Sequence, residues 1–375
     1  MSAPLKVLHV EAGRHLYGGA RQVLYLIEGL RRHGVTSVLA APPDSAIAAA
    51  ATGEVERLYP LPMHGDLDLA LSLRIARAAR DVRPDIIHLH SRRGADVYGG
   101  LAARLVGVPA VVSRRVDNPE PRWLVSLKYR LYDRVIAISA GIRQVLLNEG
   151  MPPARVVCVP SAINAVDYAT PCDRAAFLRA TGLPADATVA AIVAQLIPRK
   201  GHRHLLAALP QVLQAHPELH IAVLGKGGLR PRLEQEARRI GVAANVHFLG
   251  FRDDLPNLLG CFDFLIHPAD MEGLGVSLLQ GGAAGLALIG THVGGIPEIV
   301  RHDESGLLIE PGDVPALAAA MTRLAADPAL RRRLGDGARR LVVRRFDVET
   351  MVAGNLAVYR QVLAERRDRR RGRPA

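Results

Sequence analysis

The chain of 375 residues is long enough for two domains of ordinary size, each burying its own core. Apolar residues make up 49% but aromatics only 4%, which leaves Ala, Val, Leu and Ile to build the interior, as in parallel sheets covered by helices; it also excludes an aromatic stacking platform for nucleic acid, despite a formal charge of +12 that favours anionic partners. Cys158, Cys172 and Cys261 are scattered and odd in number, showing neither a disulfide framework nor a CxxC metal site, so a reducing compartment is expected.

The N-terminus carries only Lys6 ahead of a short strand-like run and has no signal-peptide core. No apolar run approaches the roughly 20 residues that span a bilayer. A cytoplasmic chain, at most held peripherally on an inner membrane face, is therefore expected. Predicted strands of the first half are Lys6–Val10, Ser37–Ala41, Asp85–His90, Ala110–Ser113, Arg134–Ile138 and Val156–Val159. Helical patterns separate them. In Ala20–His33, residues Ala20, Val23, Leu24, Ile27 and Leu30 share one face. The alternation restarts with Val189–Leu196, His220–Leu224, Val246–Leu249, Phe262–His267, Leu286–Gly290 and Leu307–Ile309. Strand alternating with helix, twice over, predicts an α/β protein of two Rossmann-like domains with parallel sheets. The expected limits are 1–165 and 186–347, with the break in the polar, Pro- and Ala-rich stretch between Ser161 and Asp186. A last helix from Val348 to Glu365 has Val352, Leu356, Tyr359 and Leu363 on one face and leads into a strongly basic tail, Glu365–Ala375, expected to be disordered.

Chemistry concentrates where strands end, because open α/β sheets bind ligands beyond the carboxyl ends of their strands. The stretch from Leu265 to Val300 reads strand, acidic loop, helix, strand, glycine-rich turn. Glu272 and the backbone N–H groups of Leu274, Gly275 and Val276 fall at the start of a helix over Val276–Ala284, an end that favours a phosphate. Glu272 reads equally as a carboxylate that interacts with the helix dipole. Arg199 and Lys200 follow the first strand of the second half; two exposed cations in a loop are a common surface feature, and the glycine-rich helix start nearby favours a shared anion. Gly18 and Gly19, in Tyr17–Leu24, precede the first helix and let backbone approach a ligand closely, or simply make a turn.

These residues resemble the nucleotide-sugar site of the retaining glycosyltransferases of family 4, which have the GT-B fold and a Glu-x7-Glu motif. Glu272 matches the first Glu; Gln280 stands where the second is expected. The resemblance implies two Rossmann-like domains facing a cleft, with the last helix crossing back to the first domain. It implies a UDP-sugar donor in preference to other nucleotide sugars, no cofactor and no metal. It assigns a basic residue to the position of Lys200, ribose contacts to the position of Gln280, base recognition to Phe251 and Arg252, and donor phosphates to Gly18 and Gly19. The family usually has an Arg near Gln195, absent here. A Gln at 280 accepts hydrogen bonds but lacks the stronger charge-assisted bond. The implied acceptor is a glycan or glycolipid, and the basic tail suits an anionic membrane face.

On the acceptor side, His90 ends a strand in phase with His88, and Arg114 and Arg115 follow the next strand where the family carries a His. His90 reads first as a structural histidine; the two arginines are candidates for contact with an anionic acceptor. Asp66-Leu67-Asp68 has metal-motif spacing but lies in a loop away from the phosphate signatures, and Glu298 beside Gly294 and Gly295 reads as structural. Three rivals remain: an epimerase, for which no acid/base set is visible; a non-catalytic sugar-nucleotide sensor, motivated by Gln195, Gln280 and Arg114–Arg115; and, last, a nucleic-acid binder.

Overall fold

A computed structural model describes residues 4–16, 18–90 and 94–372. Tyr17, in the expected glycine-rich loop, and the last three residues of the tail lie outside the described residues. Residues 1–162 with 348–375 form one compact unit and residues 163–347 another.

The first unit holds β1 (Lys6–Val10), β2 (Thr36–Ala41), β3 (Arg57–Pro60), β4 (Ile86–Leu89), β5 (Ala110–Arg114), β6 (Arg134–Ala137) and β7 (Val156–Cys158). They form a parallel sheet in the order β3-β2-β1-β4-β5-β6-β7. β3 was not expected: it is an edge strand whose residues are exposed or half-buried, so it lacks an apolar run. Helix Gly18–Arg32 and the last helix, Val348–Arg370, pack together in this unit. A Cβ at Gly29 would lie 2.3 Å from a Val352 methyl, so the absence of a side chain there permits the approach.

The basic tail departs from expectation. The helix runs to Arg370 because its charges find partners far upstream: Glu365 pairs with Arg134, and Arg366 takes both oxygens of Asp133 at 3.1 and 3.0 Å. No helix among the described residues is long and apolar enough to cross a membrane.

The second unit holds β8 (Thr188–Val193), β9 (Leu219–Leu224), β10 (Val246–Gly250), β11 (Phe264–His267), β12 (Ala287–Thr291) and β13 (Gly306–Ile309), parallel, in the order β10-β9-β8-β11-β12-β13. Its core joins Ile192, Val223, Phe264, Ile266 and Ile289 to Leu205, Leu209 and Leu324 from covering helices. Residues 166–185 belong to this unit: Arg174 binds Asp263 at 2.8 Å and the Phe177 ring meets Phe262 edge-on. Cys172 and Cys261 are joined in a disulfide, with Cα atoms 5.4 Å apart. This corrects the expectation of unpaired thiols; a separation of 89 residues hid the pairing from the sequence.

Candidate active site

In both sheets the strand order reverses beside one central pair, β1/β4 in the first unit and β8/β11 in the second. Chains leaving such neighbours diverge and open a crevice at the carboxyl edge. In the second unit those chains carry Arg199, Lys200 and Glu272, and they are fastened to each other. The Arg199 carbonyl accepts from the Asp270 N–H at 2.9 Å and the Met271 N–H at 3.4 Å. Gly201 sits in the left-handed region at φ +72°, where a Cβ would lie 1.7 Å from the Pro268 carbonyl oxygen. Only glycine fits there, and its turn delivers Lys200 to Glu272.

The Glu272 carboxylate is the hub. Lys200 Nζ donates to Oε2, His267 Nε2 lies 2.7 Å from the same oxygen, and the Gly273 N–H donates to Oε1 at 2.9 Å. Lys200 and Glu272 side chains are only 11% and 14% exposed, so their attraction is little screened. Burial alone would raise the Glu272 pKa, but the bonds from His267 and Lys200 and the charge of Lys200 outweigh it and hold the carboxyl well below the usual range. His267 is pushed down by burial against the opposing pull of Glu272, which makes it a neutral ring at pH 7. A neutral ring that donates through Nε2 presents Nδ1 as an acceptor, and Ser277 Oγ lies 3.4 Å from that atom.

Helix Val276–Ala283 begins at Gly275, φ +95°, with no side chain capping it. A Cβ at Gly275 would fall 3.7 Å from Glu272 Cγ and 3.1 Å from a Leu278 methyl. The carboxylate thus stands beside the positive end of the helix, and Leu274 is buried beneath the turn. Gln280, one turn further, donates through Nε2 to the Tyr168 hydroxyl at 2.9 Å. Phe251 is 55% exposed past β10, with the Lys226 ammonium 5.2 Å above its ring. The Arg252 guanidinium is engaged by Asp254 through two nitrogens at 2.7 and 2.5 Å. His267, Tyr168 and Lys226 received no role from the sequence. His267 carried one signal, a polar residue closing an otherwise apolar strand.

In the first unit, Gly18 and Gly19 open helix Gly18–Arg32, and a Cβ at Gly19 would touch only Arg115 Cδ, at 3.7 Å. Arg115 is half-buried, and the desolvation of its guanidinium pushes its pKa down to about 10 against the pull of Glu11. Its Nε has no partner, while Nη1 lies 3.3 Å from Ser161 Oγ. Arg114 does not fit the expected anion contact. Its side chain is 2% exposed and donates to Glu120, the Tyr129 hydroxyl and the carbonyls of Val116 and Asn118. A fork filled by its own chain holds the loop after β5 and is closed to a substrate. His90 is likewise buried, with Nε2 3.0 Å from His9 Nδ1. Asp68 caps the His64 N–H and pairs with Arg74.

Ligand atoms of His9, His88 and His90 lie within 4.8 Å of one another, close enough to share a metal ion. The chemistry opposes a cation there. Both His88 nitrogens are occupied, by Tyr359 at 2.6 Å and Ser113 at 2.9 Å, and the charge of Arg115 acts on His88 and His90.

Burial pushes His9 down to about 3 and lowers His88 and His90 well below 6.5. In the second unit it pushes His202, whose ring nitrogens both lack partners, down to about 4. These rings stay neutral when folded, whereas the unfolded chain protonates them below about pH 6.5. Stability is therefore full above pH 6.5 and is lost as pH falls towards 4 and 3. Calorimetry between pH 7.5 and 4.5 is expected to show a falling melting temperature with proton uptake on unfolding; a flat profile would mean that the rings are solvated.

Two family models match the chain: Glycosyltransferase Family 4 over residues 17–166 and Glycosyl transferases group 1 over residues 173–341. A lipopolysaccharide core biosynthesis glycosyltransferase of Rhizobium meliloti is 26% identical over 365 residues, spanning 96% of this chain and 100% of that protein. A D-inositol 3-phosphate glycosyltransferase of Acidothermus cellulolyticus is 31% identical over 361 residues, spanning 87% of this chain and 80% of that protein. A crystal structure of an Anabaena protein in complex with UDP and glucose shares the fold, with a TM-score of 0.82 and 21% identity over 94% of this chain and 99% of that one.

Proposed function

The chain belongs to glycosyltransferase family 4, and from that premise we propose that it moves a sugar from a nucleotide diphosphate, UDP in preference to others, to a glycolipid or polysaccharide-precursor acceptor with retention of configuration. The observation that carries this reading is the Lys200–Glu272–His267 cluster beside the uncapped helix start at Gly275, on the carboxyl edge of β8 and β11. A breaking glycosyl–phosphate bond places negative charge on the diphosphate, and preorganised cations and N–H dipoles stabilise it. Lys200, Arg199 and the start of the helix meet that demand without a metal. Glu272, held ionised, accepts hydrogen bonds from donor-sugar hydroxyls and fixes the sugar's orientation. In the same-face displacement, the bond from the anomeric carbon to the phosphate oxygen breaks. A bond from that carbon to the acceptor oxygen forms on the same face, and the acceptor proton passes to the departing phosphate.

Relatives support the acceptor class: the Rhizobium protein acts in lipopolysaccharide core synthesis, and the Acidothermus protein is named for a phosphorylated inositol. The Anabaena complex with UDP and glucose supports the donor class. On this reading the chain works at the inner face of a membrane that carries its acceptor.

Gln280 tests the nucleotide end of the site. A carboxylate at that position would bond the ribose with charge assistance, worth roughly 1–1.5 kcal/mol more than the amide. Gln280→Glu is accordingly expected to tighten UDP about tenfold in a calorimetric titration. Unchanged or weaker affinity would remove Gln280 from the ribose site and leave it as the partner of Tyr168.

A further inference from the structure

A second charged site lies on the opposite edge of the first unit's sheet. Arg104 ends the helix before β5, Arg134 opens β6 and Arg155 immediately precedes β7. These are amino ends of strands, whereas Arg115 and His90 stand beyond carboxyl ends. With Arg130 from the turn before β6, and Arg366 and Arg369 from the last helix, they line a cavity of about 580 Å³. That volume is in the range of small-molecule sites.

Six guanidinium groups here face two carboxylates, both already engaged: Asp133 by Arg366, and Glu365 by Arg134. Arg104 and Arg155 hold backbone carbonyls between Tyr129 and Tyr132, where the helix Arg122–Tyr129 ends. Arg130 and Arg369 are exposed and form no ion pair among the described residues. Arg134 is 7% exposed, and its Nε is buried without a partner. Burial lowers the pKa of Arg155, and the charges of Arg104, Arg134 and Arg369 lower it further against the pull of Asp133. The cluster repels itself and keeps donors directed at no acceptor of the chain. Planar guanidinium forks match phosphate oxygens in geometry and charge.

We propose that this cavity, at the amino edge of the first unit's sheet, binds a multiply charged phosphate group distinct from the nucleotide-sugar donor. The group comes either from a free polyphosphate or from a phosphorylated lipid headgroup; the chemistry of recognition is the same.

The test uses the full chain with UDP present in saturating amount, so that the donor site does not report. Wild type and the double variant Arg130→Glu/Arg369→Glu are titrated with inorganic pyrophosphate by calorimetry and floated with vesicles of phosphatidylcholine alone or with phosphatidic acid. Both altered residues are exposed, so the melting temperature and UDP affinity are expected to stay at wild-type values. Pyrophosphate affinity that falls at least about tenfold in the variant, without flotation, assigns a free phosphate. Flotation that needs phosphatidic acid and is lost in the variant assigns the lipid headgroup. Equal pyrophosphate binding and equal flotation in both proteins, or neither in wild type, would overturn the proposal.

Discussion

Replacing Lys200 with alanine is expected to lower kcat/KM by a factor of roughly 10²–10³, the usual cost of removing one preorganised stabiliser of developing charge. Lys200 has two tasks in this geometry. On the proposed reading it stabilises the departing diphosphate, and it also holds Glu272 ionised in a setting where burial alone would favour the protonated acid. The variant removes both. Part of the loss should therefore follow protonation of Glu272, and the pH–rate profile should shift its acid limb upward. His267 and the Gly273 N–H still bond the carboxylate, so the fold is retained with a modest loss of stability. Lys200→Arg keeps the charge and is expected to recover part of the rate. Full activity in Lys200→Ala would remove this residue from the chemistry.

Gly201→Ala is expected to destabilise the second unit by at least about 3 kcal/mol, because a side chain is forced both into the left-handed region and against a backbone oxygen. The contact at 1.7 Å is with the Pro268 carbonyl, which cannot rotate away as the end of a side chain would. For a unit of this size the melting temperature should fall by roughly 6–12 °C. Relief by separating the two loops would also break the bonds from Asp270 and Met271 to the Arg199 carbonyl and carry Lys200 away from Glu272. The variant should thus lose donor affinity even below its melting temperature. A variant with native stability and native donor affinity would show that the loops are not fastened as described.

Much of the fold is legible in the sequence because strands buried on both faces must be largely apolar, and β8, β9, β11 and β12 are, with Thr188, His220, His267 and Thr291 at or next to their ends. The same reasoning misses β3, whose short half-exposed run at the sheet edge has no such signature. Glu272, Lys200 and the turn at Gly275 are legible because charge and a glycine-rich helix start fall together just after strands, where open α/β sheets bind ligands. Their mutual contact is not, since it depends on Gly201 packing under Pro268, 67 residues away. Arg114 shows the converse failure. Two arginines after a strand mark a special position, but which of them turns inward depends on Glu120 and Tyr129, whose positions only the folded chain defines. The basic tail looks disordered by composition, and its order depends on Asp133 and Arg134, more than 200 residues upstream.

The most direct test of the donor site is a calorimetric titration of the wild-type protein and Lys200→Ala with UDP, GDP and ADP in the presence of EDTA. Metal-independent binding of UDP ahead of the other two, weakened at least about tenfold in the variant, is the expected result. No binding of any nucleotide diphosphate at millimolar concentration by the folded protein, or equal binding by both proteins, would contradict the assignment of this cluster to a nucleotide-sugar donor.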